Sequence, residues 1–181
     1  QTLTTNPCGE IPLSAYDSCR LISINLRNFV KNEFQKDAYF DYEHFSQVAA
    51  TAMRLSDDLV ELEIEKLESI IAHCDTEDEK ELWEKLKSAC IRGRRTGLGT
   101  HGLADAIACL SLAYDSEDAI QVIEKIYETL KISAYTESVR LSEERGSFPV
   151  FDWDTERDNG FITSLPKELQ LLIAKHGRRN I

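Results

Sequence analysis

Two long runs of helical periodicity limit what this chain can build. From Phe45 the apolar residues Val48, Ala52, Leu55, Leu59 and Leu62 recur at alternating steps of three and four, and the pattern continues through Ile64, Leu67 and Ile71. Ile120, Ile123, Tyr127, Leu130, Ala134 and Leu141 repeat the same spacing further along. Such spacing puts one apolar stripe on one side of an α-helix. Asp41 is placed to cap the first run, and the acidic cluster Asp115-Ser116-Glu117-Asp118 suits the positive end of the second. Arg145-Gly146 closes that second run with a basic last turn and a glycine in the position where helices reverse. The spacing predicts helices over 41–72 and 116–145. Thr76 and Glu79 form a capping box that starts a helix over 77–91. Ser164 is read as the cap of a last helix, 165–176, carrying Leu169, Leu172 and Ile173. A chain so organised is helix-rich. Coiled coil is the structural alternative for the first stripe, but a stripe of this kind inside a globular chain more often packs a core.

Ahead of the first helix stands a stretch of different character, Asn6-Pro7-Cys8-Gly9-Glu10-Ile11-Pro12-Leu13. Proline fixes φ and removes a donor, while glycine allows close backbone approach, so this is a loop. If it is extended, Asn6, Cys8 and Glu10 project to one side. An amide, a thiol and a carboxylate on one face can do chemistry. The plain alternative is a small buried hydrophobe at Cys8 and a solvated acid at Glu10. Cys19 follows at the start of an apolar, strand-like run, Leu21, Ile22, Ile24 and Leu26.

Composition narrows the class. The 181 residues carry a net charge of −11 with 42% hydrophobic and 29% charged residues. That is a globular chain long enough to bury about 70% of its unfolded surface. The negative charge disfavours non-specific binding to nucleic acid or to an anionic membrane. No apolar run approaches the roughly 18 residues of a membrane span, and no signal peptide is visible. Five cysteines without a CxxC pair read as reduced thiols of a cytoplasmic protein rather than a disulfide framework or a metal site. Cys90 falls on the apolar side of its helix and reads as core. Beginning on Gln rather than Met, the chain reads as a fragment or as trimmed upstream.

One motif misleads. Gly97-Leu98-Gly99-Thr100-His101-Gly102 matches GxGxxG, with Asp115 and Asp118 near the distance of a ribose-binding acid. A dinucleotide fingerprint follows a buried apolar strand, and Arg92-Gly93-Arg94-Arg95-Thr96 makes a poor one. The expected structure is a tight strand-to-helix turn opening a helix over 101–113. His101 is then packed in the turn, since no second ligand is suitably spaced for a metal. Beyond the second long helix, Ser147-Phe148-Pro149-Val150-Phe151 reads as extended and Asp152–Thr163 as loop.

The string NPCGEIPLSAYDSCRLISINL resembles the active-site finger loop of ribonucleotide reductases, most closely the adenosylcobalamin-dependent (class II) branch. RRTGLGTHGLADAIACL, Arg145-Gly146-Ser147-Phe148-Pro149 and the terminal Arg178-Arg179-Asn180-Ile181 resemble later segments of the same family, in order. The match covers essentially all of the chain, least well from Glu63 to Cys90, which reads as an insertion. The resemblance implies an α/β fold: a central fragment, 1–181, of the ten-stranded α/β barrel of the catalytic domain. Within it, 1–30 is finger loop and strand, 41–91 helical, 92–146 strand, turn and long helix, and 147–181 an extended segment and final helix.

It also implies radical reduction of ribonucleotides to 2′-deoxyribonucleotides with adenosylcobalamin as cofactor. Cys8 would carry the thiyl radical, Glu10 act as general base, Asn6 hydrogen-bond the substrate hydroxyls, and Cys19 supply one of two reducing equivalents. The partners implied are a ribonucleotide, the rest of the reductase chain and a thioredoxin-like reductant, with a homodimer among the assemblies allowed. The second reducing cysteine and the substrate phosphate loop are missing from these residues, so the fragment alone is expected to be inert.

Three other readings stand beside this one. A fragment of a class I large subunit would share the fold and most of the chemistry. An acidic helical interaction module would need neither cysteine. A two-electron thiol enzyme would use Cys8 as a nucleophile, but a neighbouring carboxylate disfavours the thiolate such an enzyme requires.

Overall fold

The computed structural model describes residues 3–180; Gln1, Thr2 and Ile181, at the ends of the 1–30 and 147–181 segments, lie outside the described residues. The strands are β1 (Thr4–Thr5), β2 (Pro12–Leu13), β3 (Arg20–Asn25), β4 (Val30–Lys31), β5 (Tyr39–Phe40) and β6 (Thr96–His101). The helices are α1 (Tyr42–Ile71), α2 (Glu77–Gly93), α3 (Leu103–Cys109), α4 (Glu117–Arg145), α5 (Trp153–Glu156), α6 (Gly160–Thr163) and α7 (Lys167–His176). Both long helices stand where the periodicity puts them. Asp41 caps α1 by accepting from the His44 amide at 3.0 Å. Thr76 caps α2 by accepting from the Glu79 amide at 3.2 Å. Gly146 donates back to the Ser142 carbonyl at 2.8 Å, closing α4.

The apolar stripe of α1 follows the spacing only in part. Phe45 and Leu67 are buried as expected, but Leu55 and Leu62 are exposed, and Ala49, Ser56 and Val60 are buried in their place. The buried positions Phe45, Ala49, Met53, Ser56, Val60 and Leu67 follow one another at steps of three, four and seven residues, the spacing of one helix face. Ser56 and Asp57 occupy core-facing positions, which a search for apolar residues passes over. The same happens on α4, where Ile120 and Tyr127 are exposed and Ala119, Ile126, Ser133 and Ser138 are buried. On α7, Leu169 and Ile173 are buried and Leu172 is exposed.

Four local expectations are corrected. The stretch after α4 is not extended: Phe151 donates to the Phe148 carbonyl at 2.9 Å, closing a turn around Pro149. Residues 152–163 are not all loop, because Asp152 and Asn159 each cap a single helical turn. Ser164 does not cap α7; its hydroxyl donates to the Phe161 carbonyl, and Pro166 precedes the first helical residue. Helix α3 stops at Cys109, since Ser111 turns left-handed with φ 60°.

Strand β3 pairs with β6. Gly97 lies against Cys19 and Leu21, Gly99 near the Ile22 carbonyl and Gly102 against Asn25, so the two strands run in the same direction. Gly97 and Gly99 are therefore strand residues rather than a phosphate-cradling turn. Only Gly102, with φ 72° and no room for a Cβ beside Asn25 Oδ1, makes the turn into α3. His101 is exposed at the strand end rather than packed.

The chain divides into two units. One comprises Ile22–Met53 and Leu98–Glu137. Its core joins Ile24, Leu26, Phe29, Phe40, Phe45, Ala106, Ile126 and Leu130. Phe29 meets Phe45 edge-on at 5.0 Å and Phe40 meets Phe45 at 5.4 Å, the arrangement aromatic quadrupoles favour. The antiparallel β4–β5 pair sets Val30 opposite Phe40 and so fixes these rings.

The other unit comprises Gln1–Leu21, Arg54–Gly97 and Ser138–Ile181. It has a small apolar cluster of Val60, Leu67 and Cys90, flanked by Ile64, Trp83 and Leu86. Cys90 is core, as read. Beside it lies a buried ionic centre. Asp57, wholly buried, accepts from Arg94 at 2.6 Å, Arg145 at 2.9 Å, Arg179 at 3.2 Å and Asn180 at 3.0 Å. Burial alone would push its carboxyl up, but Arg94, Asn180 and Arg179 together hold it below the ordinary carboxylate value. Arg94 reaches it from a left-handed position (φ 47°) at the end of α2.

Asp57→Asn should cost about 3 kcal/mol, the low end of the range for breaking a buried pair. The low end applies because Glu61 and Asp58 still face the arginines. Urea unfolding measures this, and a loss below about 0.5 kcal/mol, typical of surface changes, would contradict it. The depressed carboxyl stabilises the fold above its unfolded value, and that contribution is lost as pH falls through the folded one.

Candidate active site

The Asn6–Ile11 segment is the tip of a hairpin, not an extended run. β1 and β2 pair antiparallel with Thr4 opposite Leu13 and Thr5 opposite Pro12. Asn6 closes the tip three times: its amide donates to the Ile11 carbonyl at 3.1 Å, its side-chain Oδ1 accepts from the Ile11 amide at 2.9 Å, and its carbonyl accepts from Gly9 at 3.0 Å. Pro7 and Cys8 sit in the middle of that last turn, with proline in the position its fixed φ suits. The alternation rule that put Asn6, Cys8 and Glu10 on one face therefore does not apply. What the hairpin does instead is present Cys8 and Glu10 at its exposed end.

Cys19 is partly buried and lies close enough to Glu10 and Asp17 to feel both carboxylates. Burial pushes its thiol up; Arg95 and Arg20 pull it back, and Asp17 and Glu10 add to the rise. The net direction is upward, so this sulfur is kept as a thiol. Gly97 gives it room: a Cβ there would stand 3.0 Å from Cys19 Sγ and 3.6 Å from Ile11. All five cysteines are free. Among the described residues no group of three or more His, Cys, Asp or Glu could hold a metal ion.

Charged residues that the sequence did not single out frame Cys19. Arg95 pairs with Asp17 at 2.7 Å, both nearly buried. Arg20 is buried and bonds Glu63, Cys90 Sγ, the Ser18 carbonyl and the Arg95 carbonyl. Nothing in their spacing announces this, because the side-chain partners are separated by 43 to 78 residues.

A hairpin tip bearing an exposed thiol and a carboxylate, with a second shielded thiol behind it, is the arrangement found here. A family model described as the ribonucleotide reductase barrel domain matches residues 2–181. The chain belongs to that family. It is 34% identical over 163 residues to the vitamin B12-dependent ribonucleoside-diphosphate reductase of Mycobacterium tuberculosis, covering 90% of this chain and 20% of that protein. The counterpart from Thermoplasma acidophilum is 31% identical over 156 residues, covering 84% of this chain and 18% of its own. The ribonucleoside-diphosphate reductase large chain of Encephalitozoon cuniculi is 28% identical over 150 residues, covering 82% and 17%. The chain thus spans about a fifth of the length of the curated relatives it matches. Helix-rich, with a few short strands, it is a portion of an α/β barrel as the resemblance implied. No helix among its described residues is long and apolar enough to cross a membrane.

Proposed function

We propose that this chain carries the thiol machinery of a ribonucleotide reductase that converts ribonucleotides to 2′-deoxyribonucleotides by radical chemistry. The observation that carries the reading is Cys8, free and exposed at the tip of a hairpin whose sequence resembles the family's finger loop. In the reaction a 2′ C–O bond becomes a C–H bond. Two thiols lose two electrons and two protons, one disulfide forms, and the oxygen leaves as water. Cys8 takes the 3′ hydrogen and later returns it. An S–H bond is close enough in strength to an activated C–H bond for that exchange to run both ways. Glu10, two residues on at the exposed end of the hairpin, accepts the 3′-OH proton as general base. Asn6 orients the sugar hydroxyls through its NH₂ group. Cys19 is one of the two reducing thiols, and its partner is a cysteine outside these residues.

The cofactor is adenosylcobalamin, which when bound supplies the unpaired electron. Cys8 meets the requirement that chemistry sets on the protein side, a reduced thiol open to approach. The greater identity to the B12-dependent relatives than to the large chain of Encephalitozoon favours this class. The upward push on Cys19 disfavours a resting thiolate at that sulfur, which suits a thiol that gives up hydrogen. The wider setting is the cytoplasm, with a dithiol protein of the thioredoxin kind restoring the thiols and a homodimer among the assemblies allowed.

Cys19→Ser in the assembled reductase tests the division of labour. Cofactor-coupled hydrogen exchange through Cys8 should persist while sustained turnover with a dithiol reductant is lost. Undiminished turnover would remove Cys19 from the reducing pair.

A further inference from the structure

Residues 63–90 read in the sequence as an insertion, yet both ends of that stretch hold the neighbours of Cys19. The Glu63 carboxylate takes Arg20 Nε on one oxygen and the Ser18 hydroxyl on the other, at 2.5 Å and 3.2 Å. Ser18 and Arg20 are the residues on either side of Cys19. At the far end, Cys90 Sγ accepts from Arg20 Nη2 at 2.9 Å. The remaining guanidinium nitrogen bonds the Ser18 carbonyl at 3.1 Å and the Arg95 carbonyl at 3.2 Å. Arg95 in turn grips Asp17. The backbone on both sides of the thiol is therefore tied to α1, to α2 and to the chain entering β6.

We propose that Glu63 is a positioning residue for Cys19, and that the stretch it opens serves the reducing step rather than decorating the fold. Among the described residues, Glu63 is the one side chain that bonds the side chains of both flanking residues. The Arg20 side chain is only 7% exposed, so without Glu63 its charge lacks an anionic partner and must move toward water. Moving Arg20 moves the peptide that carries Cys19. A thiol that must meet both a second sulfur and a substrate radical tolerates little displacement, and a shift of about 1 Å can cost up to about 100-fold in rate. Cys90, with its thiol pushed up to about 11 mainly by burial, stays protonated and serves here only as an acceptor.

The inference rests on Cys19 being a reducing thiol, and the experiment separates the two. In the assembled reductase with a small dithiol reductant, Glu63→Gln should lower kcat by about 10- to 100-fold. KM for the nucleotide and cofactor-coupled hydrogen exchange through Cys8 should stay unchanged. Arg20→Lys, which keeps the charge but not the forked geometry, should show the same split, and Glu63→Asp should recover part of the lost rate. A Glu63→Gln enzyme with kcat within twofold of the parent overturns the proposal. So does a parallel fall of exchange and turnover, which marks general misfolding rather than displacement of one thiol. If Cys19→Ser itself keeps turning over, the role of Cys19 fails first and the positioning role with it.

Discussion

Cys8→Ser is expected to abolish both deoxyribonucleotide formation and cofactor-coupled hydrogen exchange in the assembled reductase. Serine keeps nearly the same shape at the hairpin tip, and the closing bonds there run through Asn6, Gly9 and Ile11 rather than through the thiol. The substitution therefore removes chemistry without removing structure. An alcohol O–H bond is much stronger than a thiol S–H bond, so the serine cannot carry the hydrogen atom in either direction. The contrast with Cys19→Ser gives the experiment its force, because only the exposed cysteine should be needed for exchange. Should both variants keep exchange and lose only turnover, the radical carrier lies elsewhere.

Glu10→Gln should lower kcat by roughly 10²- to 10⁴-fold with nucleotide affinity little changed. Glutamine preserves size and hydrogen-bonding capacity but takes no proton. Because Glu10 is exposed on the hairpin and outside the core, its replacement should leave stability within about 0.5 kcal/mol. A solvated bystander acid would share that stability result but show no kinetic defect. Turnover and nucleotide binding measured on one variant distinguish the two, and full activity would remove Glu10 from the reaction.

What the sequence made legible was whatever depends on near neighbours. Helix starts at Asp41 and Thr76, the end at Gly146 and the loop at Pro7 are set by side chains within four residues, and all stand as read. Cys8 lies in the turn between β1 and β2, and Cys19 just ahead of β3. The buried faces of α1 and α4 were less legible, because serines and an aspartate fill positions that a hydrophobic count leaves blank. The hairpin was hidden because the period-two rule presumes a straight strand, whereas Asn6 folds the segment back on Ile11. The frame around Cys19 was invisible for another reason: Glu63, Cys90 and Arg95 reach it only through tertiary contact.

The ionic centre at Asp57 has a kinetic side. Its ligands come from 37, 88, 122 and 123 residues away, so it cannot assemble until widely separated parts of the chain have met. Contacts of such long sequence separation carry a large loop-closure cost and tend to form late. A late-forming contact leaves the folding rate nearly untouched and acts on the rate of escape from the native state. Asp57 and its arginines would then work as a latch: they set how long residues 178–180 stay docked once they have arrived, and with them the lifetime of the folded chain.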